Sequence, residues 1–466
     1  MAKKSKTVFV CQECGYESPK WMGQCICGAW NSMTEEKIVD TAATDSRRRT
    51  TAEKGTHAKP SVLKNVGSGD YTRIDTGIGE LNRVLGGGLV PGSLVLISGE
   101  PGIGKSTIII QAASNIANSL GTVLYVSGEE SEEQIKMRAD RVCSNLNDNL
   151  MVLAETNMES IMNACENLKP SFLVIDSIQT MYTEEIDSIP GSISQVRACS
   201  NQLMKIGKTW NIPVFIVAHV TKNGELAGPK IIEHLVDCVL NFTGERDHDL
   251  RILRAYKNRF GTTSEIGAFQ MESSGLIEIE NLSGSLLENA EDRAEGAVIT
   301  AIYEGSRPVL LEIQALAAPA NVGFARRTSV GIDNSRLNMI LAVLEKRVGL
   351  AMINQDVYVN VVGGMRLDST SVDLAVALAI YSSLKGVLCS KKTIVIGEVG
   401  LTGDLRSTQN AEKIVSEAVR MGYEQIILPK KNADRIISEM GKSGKNAGCT
   451  IIGARNIYDA INAYKA

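Results

Sequence analysis

A glycine-rich stretch from Gly99 to Thr107 holds the residues best suited to chemistry in this 466-residue chain. It fits the pattern G-x-x-x-x-G-K-[ST], between the apolar run Ser93–Ser98 and the helix-like run Ile108–Ala117. In that setting backbone N–H groups turn inward and cradle phosphates at a helix N-terminus. Lys105 would neutralise the β- and γ-phosphates of ATP, and the Ser106 hydroxyl would ligate Mg²⁺. The alternative is a glycine-rich turn with a solvated lysine. The predicted binding residues are Gly99, Glu100, Pro101, Gly102, Ile103, Gly104, Lys105, Ser106 and Thr107.

Acidic residues follow two other apolar runs. Asp176 ends the run Ser171–Asp176 and is predicted to hold the water shell of Mg²⁺ from the neighbouring strand, although an acid there can also cap a helix. Glu129 and Glu130 follow the run that ends at Ser127. A carboxylate at this point can orient and deprotonate the attacking water, or it can cap the helix Glu132–Val142. We predict Glu129, ahead of Glu130, as the catalytic residue.

Basic residues lie further along the chain. His219 ends the apolar run Pro213–Ala218 and could read the γ-phosphate or be a buried structural histidine. The loop Lys222–Glu233 could contact a phosphodiester backbone or be a solvated surface loop. Lys257 and Arg259, two residues apart at a strand end, point the same way. In a ring they could reach the γ-phosphate bound by a neighbouring subunit; otherwise they are exposed charges of a hairpin turn.

Four of the ten cysteines fall within seventeen residues near the N-terminus: Cys11, Cys14, Cys25 and Cys27. A disulfide framework would not be confined to one short end of a chain without a signal segment. Four thiolates in two closely spaced pairs suit one tetrahedral structural Zn²⁺, with a redox pair as the alternative. The single residue between Cys25 and Cys27 is one fewer than zinc ribbons usually have.

The elements that must position these residues alternate short apolar strands with amphipathic helices, which indicates a parallel α/β sheet. Composition shifts divide the chain into four parts. We predict a zinc finger over 1–30, a flexible linker over 31–65, a nucleotide-binding domain over 66–285 and a second α/β domain over 286–466.

Composition excludes several classes of protein. The chain is 44% hydrophobic and 22% charged, which is typical of globular proteins and excludes extensive disorder. A net charge of −4 excludes a histone-like polycation, but residues 1–60 are basic overall. No apolar run approaches the roughly 20 residues that span a bilayer, and none resembles a signal region. We therefore expect a cytoplasmic protein without a membrane partner.

Together these motifs resemble the bacterial DNA-repair ATPase family RadA, also called Sms. The resemblance covers essentially the whole chain and rests on CQECGYESPKWMGQC, GEPGIGKST, LYVSGEES, VIDSIQT, GSISQVR, KNRFG and VNVVGGMRLD…DLAVALAI…GEVGLTGDLR. It implies a RecA-like P-loop ATPase core, similar to hexameric replicative helicases, with an N-terminal zinc finger and a C-terminal Lon-protease-like (S5-type α/β) domain. It also implies that Glu129 activates water and that Lys257 and Arg259 are catalytic cations.

The resemblance further implies a role in homologous recombination and in the repair of DNA damage. The expected activity is DNA-dependent ATP hydrolysis that drives branch migration on single-stranded or branched DNA, by a homo-hexameric ring working with a recombinase of RecA type. The alternatives are an ATP-binding scaffold or signalling ring without DNA translocation and, with less support, an ATP-dependent protease.

The Lon-like region carries only one of the two residues that its peptidase relatives use. Lon-type peptidases activate a serine with a lysine base. Ser371 falls at the serine position, but the lysine position is occupied by Glu412. The adjacent Lys413 lies about 100° around the helix from it. We therefore expect this domain to be a scaffold for DNA and ring assembly and not an active protease.

Overall fold

A computed structural model describes residues 5–11, 16–39, 72–218, 230–244, 249–288, 294–320, 325–389, 391–443 and 449–465. The chain forms two compact units. The first comprises residues 1–243 and 251–278, and the second comprises 244–250 and 279–466. No helix within the described ranges is long and apolar enough to cross a membrane.

The N-terminal part of the first unit is a small antiparallel sheet. Its strands are β1 (Ser5–Cys11), β2 (Glu17–Ser18) and β3 (Met33–Val39). The backbone of β3 also pairs with β8 (Ile186–Asp187), so the order is β2-β1-β3-β8. Because β3 lies within the range 31–65, the predicted linker begins too early. The rest of that range, from residue 40 on, lies outside the described residues.

A nine-stranded sheet forms the rest of this unit, in the order β13-β12-β11-β10-β4-β9-β7-β5-β6. The six strands β10, β4, β9, β7, β5 and β6 are parallel to one another. Strand β11 pairs antiparallel with β10. The apolar runs predicted as strands are confirmed; the edge strand β6 was not predicted. The strands are β4 (Leu94–Gly99), β5 (Val123–Ser127), β6 (Leu150–Ala154), β7 (Phe172–Asp176), β9 (Val214–Val217), β10 (Cys238–Thr243), β11 (Leu250–Asn258), β12 (Ile266–Glu272) and β13 (Gly275–Glu278).

Helices cover both faces of this sheet, which explains why its strands are apolar on both faces. Val95 and Ile97 enter one hydrophobic cluster, whereas Leu94 and Leu96 enter a second cluster on the opposite face. The helices of this unit are α1 (Gly79–Leu85), α2 (Lys105–Ser119), α3 (Glu132–Val142), α4 (Met158–Leu168), α5 (Ile193–Trp210) and α6 (Lys230–Leu235). A 3₁₀ turn, Ile178–Thr180, follows β7.

The second unit is a separate α/β structure built on a mixed sheet, ordered β16-β17-β15-β14-β18-β21-β22. Its first helix, α7 (Leu282–Leu286), contributes the buried Leu282 and Leu286, so this unit begins before the predicted boundary at 286. The strands are β14 (Ala297–Glu304), β15 (Arg307–Pro319), β16 (Arg327–Val330), β17 (Gln355–Val361), β18 (Thr393–Val395), β19 (Glu398–Val399), β20 (Leu405–Arg406), β21 (Gln425–Pro429) and β22 (Thr450–Ala454). The remaining helices are α8 (Asn334–Val343), with a π-helical turn Leu344–Val348, α9 (Asp373–Lys385), α10 (Ala411–Arg420), α11 (Lys430–Ser443) and α12 (Ile457–Lys465).

Candidate nucleotide site and cysteine cluster

The loop from Gly99 to Gly104 joins β4 to α2, as the sequence predicts. Gly99 and Gly104 have φ angles of +150° and +114°. A Cβ atom at Gly99 would lie 2.9 Å from the Phe242 carbonyl oxygen, and one at Gly104 would lie 2.8 Å from Met271 Cε. The positive φ angles favour glycine at both positions, and at Gly99 the backbone contact also leaves no space for a side chain. The loop ends at the N-terminus of α2, where backbone N–H groups favour an anion.

Lys105 is buried at the start of α2, with 4% of the residue exposed. Its Nζ donates hydrogen bonds to the carbonyl oxygens of Gly99 (2.8 Å) and Glu100 (3.0 Å). Burial lowers the pKa of this lysine to about 8, although Asp176 and Glu129 act in the opposite direction. The nearby hydroxyl residues Ser106 and Thr107 are half-buried in the first turn of the same helix.

Asp176 lies at the end of β7, directly opposite Ser127 on the adjacent parallel strand β5. Its Oδ2 accepts a 2.6 Å hydrogen bond from the Tyr125 hydroxyl. Burial raises the pKa of this tyrosine well above its usual value, and the Asp176 charge adds to the effect. Tyr125 therefore remains a hydrogen-bond donor and holds the Asp176 carboxylate in place. Sequence reasoning missed Tyr125 because an aromatic residue inside an apolar strand gives no sign of a polar contact.

The structure distinguishes Glu129 from Glu130. The Ser177 hydroxyl donates a 2.5 Å hydrogen bond to Glu129 Oε1, and Glu129 lies close enough to Lys105 to affect its pKa. Glu130 instead forms an ion pair with Arg138 on α3. Glu129 is therefore the glutamate that shares the environment of Lys105 and Asp176. Ser177 was also missed, although it directly follows the predicted Asp176.

Gly128 sets the position of Glu129 because the chain has no space for a side chain there. A Cβ atom would lie 2.1 Å from Thr180 Oγ1 and 2.9 Å from Thr156 Cγ2. The Gly128 N–H also donates to the Asp176 carbonyl oxygen at 2.9 Å. This close packing fixes the turn that carries Glu129 against the end of β7.

Lys257 and Arg259 lie at the other end of the sheet. Lys257 on β11 pairs with Val239 on β10, which in turn pairs with Leu96 on β4. Leu96 precedes Gly99 by three residues, so Lys257 is level with a point on β4 about 10 Å before the start of the phosphate loop. Lys257 Nζ donates to the carbonyls of Glu233 (2.6 Å), His234 (3.3 Å) and Val236 (2.8 Å) around the end of α6. Burial and the neighbouring Arg259 lower the pKa of Lys257. The structure thus does not bring these two cations to the phosphate loop of their own chain.

The other basic candidates are described only in part. His219 and residues 222–229 of the predicted basic loop lie outside the described residues. Residues 230–233 were expected to continue that loop, but they form the first part of α6. This part of the loop prediction is wrong, because a buried Ile232 anchors the segment as a helix on the sheet.

Three of the four N-terminal cysteines come together. The Sγ atoms of Cys11, Cys25 and Cys27 all lie within 4.8 Å of one another, and those of Cys11 and Cys27 are 3.8 Å apart. Thiolates around a tetrahedral Zn²⁺ have about that separation, given Zn–S bonds of about 2.3 Å. A tight turn, in which Gly28 N–H donates to the Cys25 carbonyl, brings Cys25 and Cys27 together despite their short spacing. Cys14 lies outside the described residues.

In the second unit, the groups around the peptidase-like positions have other partners. The Ser371 hydroxyl is 2.8 Å from that of Ser369, in a 3₁₀ turn before α9. Glu412 forms an ion pair with Arg435. The Lys413 ammonium lies over the Tyr303 ring, 4.9 Å from its centroid, and contacts its hydroxyl.

Three family models match successive parts of the chain. A rubredoxin metal binding domain matches residues 9–35, an AAA domain matches 58–225, and subunit ChlI of Mg-chelatase matches 319–432. Curated relatives match nearly the full length. The DNA repair protein RadA of Bacillus subtilis is 49% identical and covers 98% of both chains. RadA of Streptococcus pyogenes serotype M1 is 48% identical and covers 99% of both. A solved RadB recombinase structure is 22% identical, with a TM-score of 0.36, over 44% of this chain and 99% of that one.

The fold, the glycine-rich loop and the family models together define a P-loop ATPase built on a parallel α/β sheet, with an N-terminal metal-binding domain and a C-terminal ChlI/Lon-like domain. The sequence identities over nearly the full length then identify the family. The chain belongs to the RadA family of DNA repair proteins.

Proposed function

We propose that this protein is a DNA-dependent ATPase of homologous recombination, which drives branch migration on single-stranded or branched DNA. The observation that carries the ATPase part of the proposal is the convergence of Lys105, Asp176 and Glu129 at the carboxyl ends of β4, β7 and β5, three parallel strands of one sheet. This is the arrangement that phosphoryl transfer to water requires: a cation for the phosphates, an acid for Mg²⁺ and a carboxylate for the water. The DNA part rests on membership of the RadA family.

Each residue of the site then has a distinct task. Backbone N–H groups of the loop and the Lys105 ammonium bind the phosphates. Ser106 and Asp176 would hold Mg²⁺, which supplies charge neutralisation between the β- and γ-phosphates. Glu129, oriented by Ser177, accepts a proton from the attacking water.

The position of Arg259 supports a ring with nucleotide at the subunit interfaces. Its side chain is 57% exposed and lies at the end of the sheet away from its own phosphate loop. We propose that it reaches the nucleotide of a neighbouring subunit in a homo-hexamer, where it stabilises charge in the transition state. Lys257, which lies on β11 and donates to the carbonyls around the end of α6, assists it. A RecA-type recombinase is the proposed partner, on family membership alone.

The cysteine cluster and the Lon-like domain have structural roles in this proposal. Cys11, Cys25 and Cys27, with Cys14, hold a structural Zn²⁺. The Lon-like domain is a scaffold for DNA and ring assembly without peptidase activity. The ion pair of Glu412 and the Tyr303 contact of Lys413 support this, since both groups near the expected base position are engaged elsewhere.

The test is ATP turnover by the purified full-length protein with and without single-stranded DNA, followed by branch migration of a synthetic three-strand junction. We expect single-stranded DNA to stimulate turnover and ATP to drive the junction forward. The Lys105→Ala variant is the control for contaminating ATPases. If the rate of ATP turnover is the same with and without DNA and the junction does not migrate, the result would instead support an ATP-binding scaffold.

A further inference from the structure

A buried carboxylate lies beside Arg259 at the end of the sheet away from the phosphate loop. Asp237 sits between α6 and β10, and its side chain is 4% exposed. Its Oδ1 accepts from Arg259 Nη1 at 3.2 Å. Its Oδ2 accepts from Lys208 Nζ at 2.7 Å and from the Leu94 N–H at 3.1 Å. The two carboxylate oxygens therefore have different partners, and Oδ1 is the one that faces Arg259.

Backbone hydrogen bonds also connect Arg259, Asp237 and Leu94. The Arg259 N–H donates to the Asp237 carbonyl at 3.0 Å, and the Asp237 N–H donates to the Leu94 carbonyl at 2.9 Å. Leu94 begins β4, a strand in the interior of the sheet whose residues are all buried. Arg259 is thus held by backbone and side chain to a residue that is itself fixed to the centre of the sheet.

This contact matters more for the direction of Arg259 than for stability. The arginine is largely exposed, and ion pairs with an exposed partner stabilise a fold only slightly. An exposed arginine left to itself samples many rotamers, whereas a group that acts on a transition state must be held in place. Lys208 supplies a second positive charge to the buried carboxylate, so Asp237 stays compensated while its Oδ1 serves Arg259.

We infer that Asp237 is a positioning residue for Arg259, which sets the direction in which the guanidinium faces the nucleotide of a neighbouring subunit. The inference rests on the proposed function, because Arg259 has that task only within a ring. Asp237 contacts neither the nucleotide nor the reacting atoms. Its effect is on the neighbour's catalytic step, and not on ATP binding by its own subunit.

The test variant is Asp237→Asn. The amide oxygen still accepts from the Leu94 N–H and Lys208, but an NH₂ group replaces the acceptor for Arg259. We expect kcat of the full-length protein to fall about 10- to 100-fold, with KM for ATP unchanged. The double variant Asp237→Asn/Arg259→Ala should lose no more than Arg259→Ala alone, because the two residues act as one unit.

Lys208→Met is the matched control. It removes the other cation from the same carboxylate and leaves the Asp237–Arg259 contact intact, so kcat should stay near that of the parent protein. Circular dichroism checks that each variant is folded. If Asp237→Asn alone does not fold, the double variant Asp237→Asn/Lys208→Met replaces it, because it also removes the cation that the neutral amide no longer balances in charge.

Mixed rings separate positioning from a general structural role. Asp237→Asn subunits are combined with Lys105→Ala subunits, which have an intact Arg259 but cannot hydrolyse ATP. Partial recovery of turnover is expected, because each intact phosphate loop can then meet a correctly held arginine. If turnover does not recover and the KM for ATP is raised, Asp237 only stabilises the start of β4 in its own subunit. That result would overturn the inference.

The Arg259→Ala variant distinguishes a failure of the proposed function from a failure of the positioning role of Asp237. Full activity of Arg259→Ala would contradict the proposed role of Arg259, and with it the role of Asp237. Impaired Arg259→Ala beside fully active Asp237→Asn would leave the proposed function standing and overturn only the positioning role.

Discussion

Lys105 carries its charge in surroundings that oppose it. Burial lowers its pKa to about 8, and the carboxylates of Asp176 and Glu129 offset only part of that effect. Phosphates placed in the loop would add negative charge beside the ammonium and favour its protonated form. The pKa of Lys105 must then be higher in the complex with nucleotide than in the free protein, which links nucleotide affinity to pH.

ATP affinity should therefore be constant below about pH 8 and fall by up to about tenfold per pH unit above it, because the free protein must then take up a proton to bind. The measurement is equilibrium binding of a fluorescent ATP analogue between pH 7.5 and 9.5, where the phosphates no longer titrate. Lys105→Ala should bind weakly at every pH and should not hydrolyse ATP. A constant affinity up to pH 9.5 would contradict this account of Lys105.

The two adjacent glutamates offer a matched pair of variants. Glu129→Gln should lower kcat by about 10²- to 10⁴-fold, since it removes the proton acceptor but leaves the phosphate loop intact. Glu130→Gln should retain most of the activity, because Glu130 is engaged in an ion pair with Arg138 on α3. Both should bind ATP normally in a filter-binding assay. Equal losses in the two variants would show that Glu129 has no special role.

At the scale of elements, parallel pairing is what assembles the nucleotide site. The register places Ser127 opposite Asp176, so the residues that follow both strands meet at one edge of the sheet. The same rule places Lys257 and Arg259 at the opposite edge, because β11 runs antiparallel to β10 and ends beside its first residue. The sheet therefore separates the phosphate loop from the arginine that we propose acts on a neighbour.

The N-terminal sheet depends on its cysteines for a core. Cys11 and Cys25 are buried together with Met33, and Phe9 and Met22 pack against them. Replacing Cys11 and Cys25 by Ser should release about one Zn²⁺ per chain and unfold this sheet, because a structural metal supplies the folding energy of so small a module.

The measurement combines metal analysis with hydrogen exchange, which should rise over residues 5–39 and at β8, the strand that pairs with β3. Cys143→Ser is the control, since Cys143 lies against α2 and far along the chain from the cluster. Zinc retained by the double variant would rule out a site built on these thiolates.

At the scale of the whole molecule, we propose that the second unit is not a peptidase, because the resemblance to Lon-type peptidases places Glu412 where they have a lysine base. Ser371→Ala should leave ATP turnover and branch migration within twofold of the parent protein, because no activated nucleophile is lost. Cleavage of casein should be undetectable for both proteins. A loss of junction movement in Ser371→Ala, with ATP turnover intact, would show that this hydroxyl takes part in the work of the ring.

Much of the nucleotide site could be predicted from sequence because it lies in short, local patterns. Gly99, Gly104 and Lys105 are specified by backbone requirements within a single strand–loop–helix segment. Tyr125 and Ser177 could not be predicted, because their roles depend on hydrogen bonds across neighbouring strands. The choice between Glu129 and Glu130 became clear only from their different partners, Ser177 and Arg138.

The sequence by itself determined the buried strands of the parallel sheet and the glycine-rich loop between β4 and α2, since both follow from local periodicity and spacing. Only the tertiary structure decided that residues 33–39 belong to the first module, because β3 is held by strands distant in sequence. It alone placed Asp237 against Arg259 and separated both from the phosphate loop. The physical reason is that strand register and direction set which residues meet, and neither is written in any one segment.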